Sequence, residues 1–121
     1  ANFTNAHIDR FAQPALEPGA LSAMINYYRG LMRGGSSRRQ QKRGFPVIDV
    51  PTLMLWGTAD MALDVSTTVA THTQVSDLTL RYLPGVSHWI QQDTPHTVNR
   101  LIGAWLQGEP VPEISETDPL D

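Results

Sequence analysis

Cysteine is absent from the 121 residues. Its absence removes a disulfide framework, thiolate zinc sites and a cysteine nucleophile together, and it leaves the redox compartment open with an intracellular home as the default. An excess of positive charge is lacking too. Nine basic residues stand against twelve acidic ones, for a net charge of -3 and a pI near 5.7, which argues against a protein that binds nucleic acid by neutralising phosphates. No window approaches the roughly 18 apolar residues of a membrane span. The opening Ala1-Asn-Phe-Thr-Asn-Ala-His7 has neither the basic nor the apolar region of a signal peptide. The expectation is therefore a cytoplasmic protein with no nucleic-acid or membrane partner. The chain also starts without methionine, which suggests that it begins inside something longer. With 40% hydrophobic and 17% charged residues, the composition is that of an ordinary globular protein, and the length admits one domain at most.

Five regions carry helical or strand patterns. From Leu16 to Met32, Leu21, Met24, Ile25, Tyr28 and Met32 recur on one helical face, with Pro18 suited to the first turn. Gly34-Gly35-Ser36-Ser37 interrupts that pattern. Arg33, Arg38, Arg39, Lys42 and Arg43 then place five of the nine basic residues in eleven positions, which reads as an exposed loop. Thr52-Leu53-Met54-Leu55-Trp56, stopped by Gly57, is the short apolar run of a strand buried on both faces. Leu78 to Leu83 alternates and suits a strand nearer an edge. Val65 to Val75 lies between them and has the length of a helical crossover, although its Thr and Val content makes a poor helix. The clearest element is the stripe Val98, Leu101, Ile102, Trp105 and Leu106, with Thr94 as N-cap, Pro95 in the first turn and Gly108 past the end. Glu109 to Asp121 holds five acids, three prolines and no base, and reads as a mobile tail. The order implies an α/β fold with a parallel sheet, and two strands suggest the C-terminal part of a larger α/β domain.

In open α/β sheets function collects in loops beyond the carboxyl ends of strands. Asp60 lies a few residues past the first strand and His88 a few past the second. If the strands are parallel neighbours, both emerge on one edge, where an acid can orient a histidine that acts as general base. Taken alone, such an aspartate is more often a turn or helix cap, and such a histidine more often structural. Asp64 competes for the acid role but reads better as the N-cap of the crossover. His7, His72 and His96 have less support, and no metal-ligand spacing joins them. No Gly-x-Ser-x-Gly elbow or glycine-rich phosphate loop occurs, and Ser87 is not on a strand-to-helix turn of that kind.

Pro51-Thr-Leu-Met-Leu-Trp-Gly-Thr-Ala-Asp60, Leu83-Pro-Gly-Val-Ser-His88-Trp-Ile-Gln-Gln-Asp-Thr-Pro95 and the run to Trp105-Leu106 resemble the C-terminal end of an α/β-hydrolase of the epoxide hydrolase family. Pro18-Gly-Ala-Leu21 leading to Asn26-Tyr-Tyr-Arg29 is similar to the last helix of that family's cap domain. The resemblance covers roughly residues 4 to 107 and implies the end of a helical cap domain over 1–34. A basic linker loop over 35–46, the C-terminal part of the hydrolase core over 47–108 and an acidic, disordered tail over 109–121 complete the expected organisation.

By the same resemblance Asp60 is the charge-relay acid, His88 the base that activates water, and Tyr28 the donor that polarises the epoxide oxygen. Read without it, Tyr28 belongs to an apolar stripe and suits a core; Trp56 and Trp89 suit packing. The implied activity is hydrolysis of epoxides to vicinal diols through a hydroxyalkyl ester on an aspartate nucleophile, with no metal or organic cofactor. The nucleophile, the oxyanion loop and a second cap tyrosine lie upstream of Ala1 in that family, so a fragment inactive by itself is expected, partnered by the missing half of the fold in the same or a companion chain. A haloalkane dehalogenase or esterase would share Asp60 and His88. A noncatalytic piece that associates through an exposed sheet edge, with another protein or as a homodimer, is the reading from a different class.

Overall fold

The computed structural model describes residues 4–33 and 35–120, with backbone alone at 35–37. They divide into two units, 4–46 and 47–120, each taken by itself below.

The first unit is helical. Helix α1 (Asn5–Ala12) begins with a capping box, in which the Thr4 hydroxyl accepts from the His7 amide and the His7 ring accepts from the Thr4 amide. His7 thus has a local structural task. A single 3-10 turn, Gln13–Leu16, precedes helix α2 (Ala20–Met32). The expected helix from Leu16 therefore starts later. Gly19, at φ 82°, stands at its N-cap position, and Pro18 lies outside it. The segment expected as a basic loop instead contains helix α3 (Gly35–Arg43). Arg, Gln and Lys are good helix formers, and Lys42 and Arg43 in the last turn complement the negative end of its dipole. Gly44, at φ 74°, closes it.

The second unit is built on two strands, β1 (Thr52–Gly57) and β2 (Leu78–Leu83), paired in parallel from Thr52 beside Leu78 to Gly57 beside Leu83. An isolated bridge between Ile48 and Val75 extends the pairing before the strands begin. The α/β reading with a parallel sheet is thus met by a sheet of two strands among the described residues. Burial on both faces of β1 is not met: Thr52 to Trp56 are half-buried.

Between the strands, two short 3-10 turns, Val65–Thr68 and Thr71–Thr73, replace the expected crossover helix. The hydroxyls explain the difference. Thr67 donates to the Asp64 carbonyl, Thr68 to Val65 and Thr73 to Ala70, each at 2.7 Å. Such local bonds compete with the α-helical ladder in residues whose β-branching already disfavours it. Asp64 caps the first turn by accepting from the Ser66 amide at 2.8 Å, as the capping reading expects. Buried Thr68 also bonds the Tyr82 hydroxyl at 2.7 Å, tying the crossover to β2.

After β2, one turn of helix, α4 (Ile90–Asp93), leads into helix α5 (Pro95–Leu106). Thr94 stands at the N-cap position of α5, yet its hydroxyl donates to the Ile90 carbonyl at 3.1 Å and closes α4 instead. Pro95 and Gly108 occupy the positions their chemistry suits, Gly108 at φ 72°. Val98 and Leu101 on α5 pack with Leu83, Val86 and Val111 in the core, joined by half-buried Leu53, Leu55 and Trp105. Ile102 and Leu106 stay exposed, so the buried stripe is narrower than the sequence pattern.

Residues 109–120, expected as a mobile tail, pack on this core. Val111 is buried, and Ile114 and Leu120 lie against the same cluster. The Arg81 guanidinium donates to the Val111 and Pro112 carbonyls at 2.7–3.1 Å and pairs with Glu113 at 3.2 Å. Composition weighs the acids and prolines of this segment but not the spacing of its three apolar anchors or the cation that satisfies its backbone.

Leu101 is fully buried, so Leu101→Ala is expected to cost about 2–5 kcal/mol in chemical denaturation, and Ile102→Ala clearly less. Equal effects would contradict this assignment of the core.

Candidate functional site

Parallel pairing sends the segments after β1 and β2 out over the same sheet edge. There they are knitted together: the Thr58 amide donates to the Leu83 carbonyl and the Ala59 amide to the Val86 carbonyl, each at 3.0 Å. The Gly85 amide donates to the Thr58 hydroxyl at 2.9 Å. Gly57 makes the approach possible. A Cβ there would collide with the Val86 and Ser87 carbonyl oxygens and stand 2.8 Å from the Val86 carbonyl carbon. These are backbone atoms that cannot rotate away.

On this frame Asp60 and His88 meet. His88 Nδ1 lies 2.8 Å from Asp60 Oδ2. The other carboxylate oxygen accepts from the Ala62 and Leu63 amides at 2.8 and 2.9 Å. An ionised carboxylate only accepts, so Nδ1 carries the proton of this bond, and in the neutral ring Nε2 keeps its lone pair. The Asp60 side chain is 6% exposed and that of His88 42%, so the acid is covered while the histidine reaches outward.

Burial pushes the Asp60 pKa up, but the His88 bond and the two backbone amides together outweigh it and hold the carboxyl below its ordinary value. For an acid whose folded pKa is depressed, the associated stabilisation is complete above the unfolded value and is lost as pH falls through the folded one. At neutral pH Asp60 is therefore an ionised acceptor for the His88 bond.

A cavity of about 180 Å³ adjoins the pair, walled by Leu55, Trp56, Leu63 and Ile90. The Trp56 indole N–H is buried without an acceptor among the described residues, leaving one donor to be satisfied. A larger groove, about 750 Å³, runs beside Arg81, Trp105 and Val111. Its cation is already engaged by backbone carbonyls and Glu113.

Tyr28, the third expected site residue, lies on α2 in the first unit, 65% exposed, with its ring edge-on to that of Tyr27 at 5.4 Å. It is not a core residue of that unit. Asp64 serves as a cap, and His72 Nδ1 bonds the Val69 carbonyl at 2.9 Å. Trp89 is exposed, its ring edge-on to that of His88. Among the described residues no three His, Cys, Asp or Glu side chains gather as they would around a metal ion, and no helix is long and apolar enough to cross a membrane.

Two contributors escape sequence reasoning. Gly57 reads there as a strand stop, although the close approach of the 86–87 backbone is what excludes a side chain. Ser87 reads as an unsuitable nucleophile, whereas its hydroxyl is bonded to Asp93. The only sequence signal for the latter is an acid six residues further on.

An acid-bound histidine thus stands at the carboxyl edge of two parallel strands. The chain is 36% identical over 106 residues to epoxide hydrolase 1 of Caenorhabditis elegans, covering 87% of this chain and 25% of that protein. Epoxide hydrolase 4 of Homo sapiens is 33% identical over 107 residues, 88% of this chain and 28% of the human protein. AB hydrolase superfamily protein YfhM of Bacillus subtilis (strain 168) is 31% identical over 109 residues, 90% and 36% respectively. Over most of its length the chain is thus similar to epoxide hydrolases and to an α/β-hydrolase superfamily protein, and it spans about a quarter to a third of the length of these relatives. No protein-family model and no solved structure matches it.

Gly57→Ala is expected to destabilise the second unit by about 1–3 kcal/mol. It should also shift the amide resonances of residues 58–60 and 86–88 far more than those of α5. A variant of unchanged stability with unmoved loop resonances would contradict the close approach.

Proposed function

We propose that this chain supplies the acid–base pair and one substrate-facing helix of an epoxide hydrolase that converts epoxides to vicinal diols. The observation that carries this reading is the 2.8 Å bond between His88 Nδ1 and Asp60 at the edge where parallel strands end; the likeness to named epoxide hydrolases supports the substrate class. In this reading 47–108 is the last part of the hydrolase core and α2 the last helix of its cap.

The chemistry proceeds in two steps. A carboxylate nucleophile, assigned to sequence outside this chain, attacks an epoxide carbon. The C–O bond breaks, an ester forms, and the developing alkoxide takes a proton from the Tyr28 hydroxyl. His88 Nε2 then removes a proton from water, whose oxygen attacks the ester carbonyl, and Asp60 stabilises the imidazolium that results. The ester C–O bond breaks, the leaving alkoxide takes the proton held on His88 to complete the diol, and the second water proton leaves the restored carboxylate and returns through solvent to the Tyr28 oxygen. Asp60 and His88 on their own have no nucleophile to regenerate, so the 121 residues alone are expected to be inactive.

A second reading, another α/β-hydrolase such as a haloalkane dehalogenase or esterase, is supported by the match to YfhM, whose name specifies only the superfamily. Tyr28 separates the two, since a halide or ester substrate needs no such proton donor.

In the complete enzyme, Tyr28→Phe is expected to slow epoxide opening by roughly 10²–10³-fold with the fold unchanged. His88→Gln should let the ester accumulate, visible as a substrate adduct in the intact mass. Undiminished opening by Tyr28→Phe would overturn the epoxide assignment, and absence of any adduct in His88→Gln would overturn covalent catalysis.

A further inference from the structure

His88 is the most exposed member of its pair, yet both of its backbone neighbours are fastened. Ser87 donates twice to one oxygen of Asp93: its amide at 3.2 Å, and its hydroxyl through a short bond. The Ser87 hydroxyl oxygen in turn accepts from the Trp89 amide at 3.2 Å. The Trp89 carbonyl accepts from the Gln92 and Asp93 amides, both at 2.9 Å, so the single turn of α4 folds Asp93 back beneath Ser87. Asp93 Oδ2 thereby holds the residue before His88 directly and the residue after it through one hydroxyl. On the remaining side the Ser87 carbonyl abuts Gly57.

From this arrangement we infer that Asp93 is a positioning residue for His88, acting through Ser87 to fix the backbone that presents the imidazole to Asp60. The inference rests on the reading of His88 as the base.

The chemistry of the clamp is suited to the task. Two donors converge on one carboxylate oxygen, and charge-assisted bonds of this kind are shorter and stronger than neutral ones. The Ser87 hydroxyl bond outweighs burial, which pushes the other way, and holds the Asp93 carboxyl below its ordinary pKa, so the anion persists at neutral pH. An acid this close to α5 also favours the N-terminal end of that helix. A role confined to the helix would leave the His88 ring and the Trp89 amide untouched. Position also matters more here than at a buried histidine, because 42% side-chain exposure leaves few packing contacts to hold the ring.

The test uses the 121-residue chain and does not depend on turnover. In Ser87→Ala, which removes the hydroxyl relay and leaves a small side chain, the Trp89 amide is expected to exchange about tenfold or more faster. The downfield proton of the His88 Nδ1–Asp60 bond should broaden or move, while the Leu101 amide keeps its protection. Asp93→Ala should release the Ser87 amide as well, and Asp93→Glu should recover part of the loss. If Asp93→Ala does not fold, Ser87→Ala decides. An unchanged His88 ring proton and unchanged Trp89 exchange in folded Ser87→Ala would overturn the positioning role. These signals report the clamp whether or not the complete enzyme opens epoxides, so a failed clamp and a failed activity assignment give different results.

Discussion

The register between β1 and β2, with Gly57 beside Leu83, governs where chemistry can occur in this chain. Antiparallel strands would send the two following loops to opposite edges; parallel strands in step send them to one. From that edge Asp60 and His88 need only a few residues to meet. The backbone bonds from Thr58 and Ala59 to Leu83 and Val86 then convert proximity into a fixed distance. Gly57 belongs to the same constraint, because any side chain there would push the Val86–Ser87 carbonyls, and His88 with them, away from β1.

Holding a pair in this way differs from burying it. Asp60 is covered and has its second oxygen occupied by two amides, so its remaining acceptor capacity is aimed at His88. The histidine side chain stays 42% exposed, as the base role proposed for it would require. The supporting shell is the unit's own small core, in which α5 and the 109–120 segment cover Leu83 and Val86. Half-buried strands around that core fit a stretch that spans a quarter to a third of its relatives.

Much of this is legible in the amino-acid order. The two strands are readable because a short apolar run and an alternating run are each bounded by turn residues, and α5 because its apolar positions repeat at 3.6 with capping residues at both ends. Asp60 and His88 follow from the strands, since loop position is inherited from topology. What is not legible has physical causes. Thr67, Thr68 and Thr73 redirect their hydroxyls to nearby carbonyls and divide the crossover into short turns. The 109–120 segment is ordered by Arg81, which lies about thirty positions away in sequence, a distance no local pattern spans. Helix α3 hides behind its charge, because local propensity and solvent exposure are compatible. Ser87 and Asp93 are invisible for a related reason: their partnership depends on the single turn of α4 between them.

Asp60, as an ionised acceptor, holds the neutral His88 ring with its proton on Nδ1 and its lone pair on Nε2. The most direct measurement is a two-bond proton–nitrogen correlation spectrum of the imidazole, recorded where the ring is neutral. The account expects a protonated Nδ1, an unprotonated Nε2 and loss of that preference in Asp60→Asn. A proton resident on Nε2, or an averaged ring indifferent to Asp60→Asn, would contradict it.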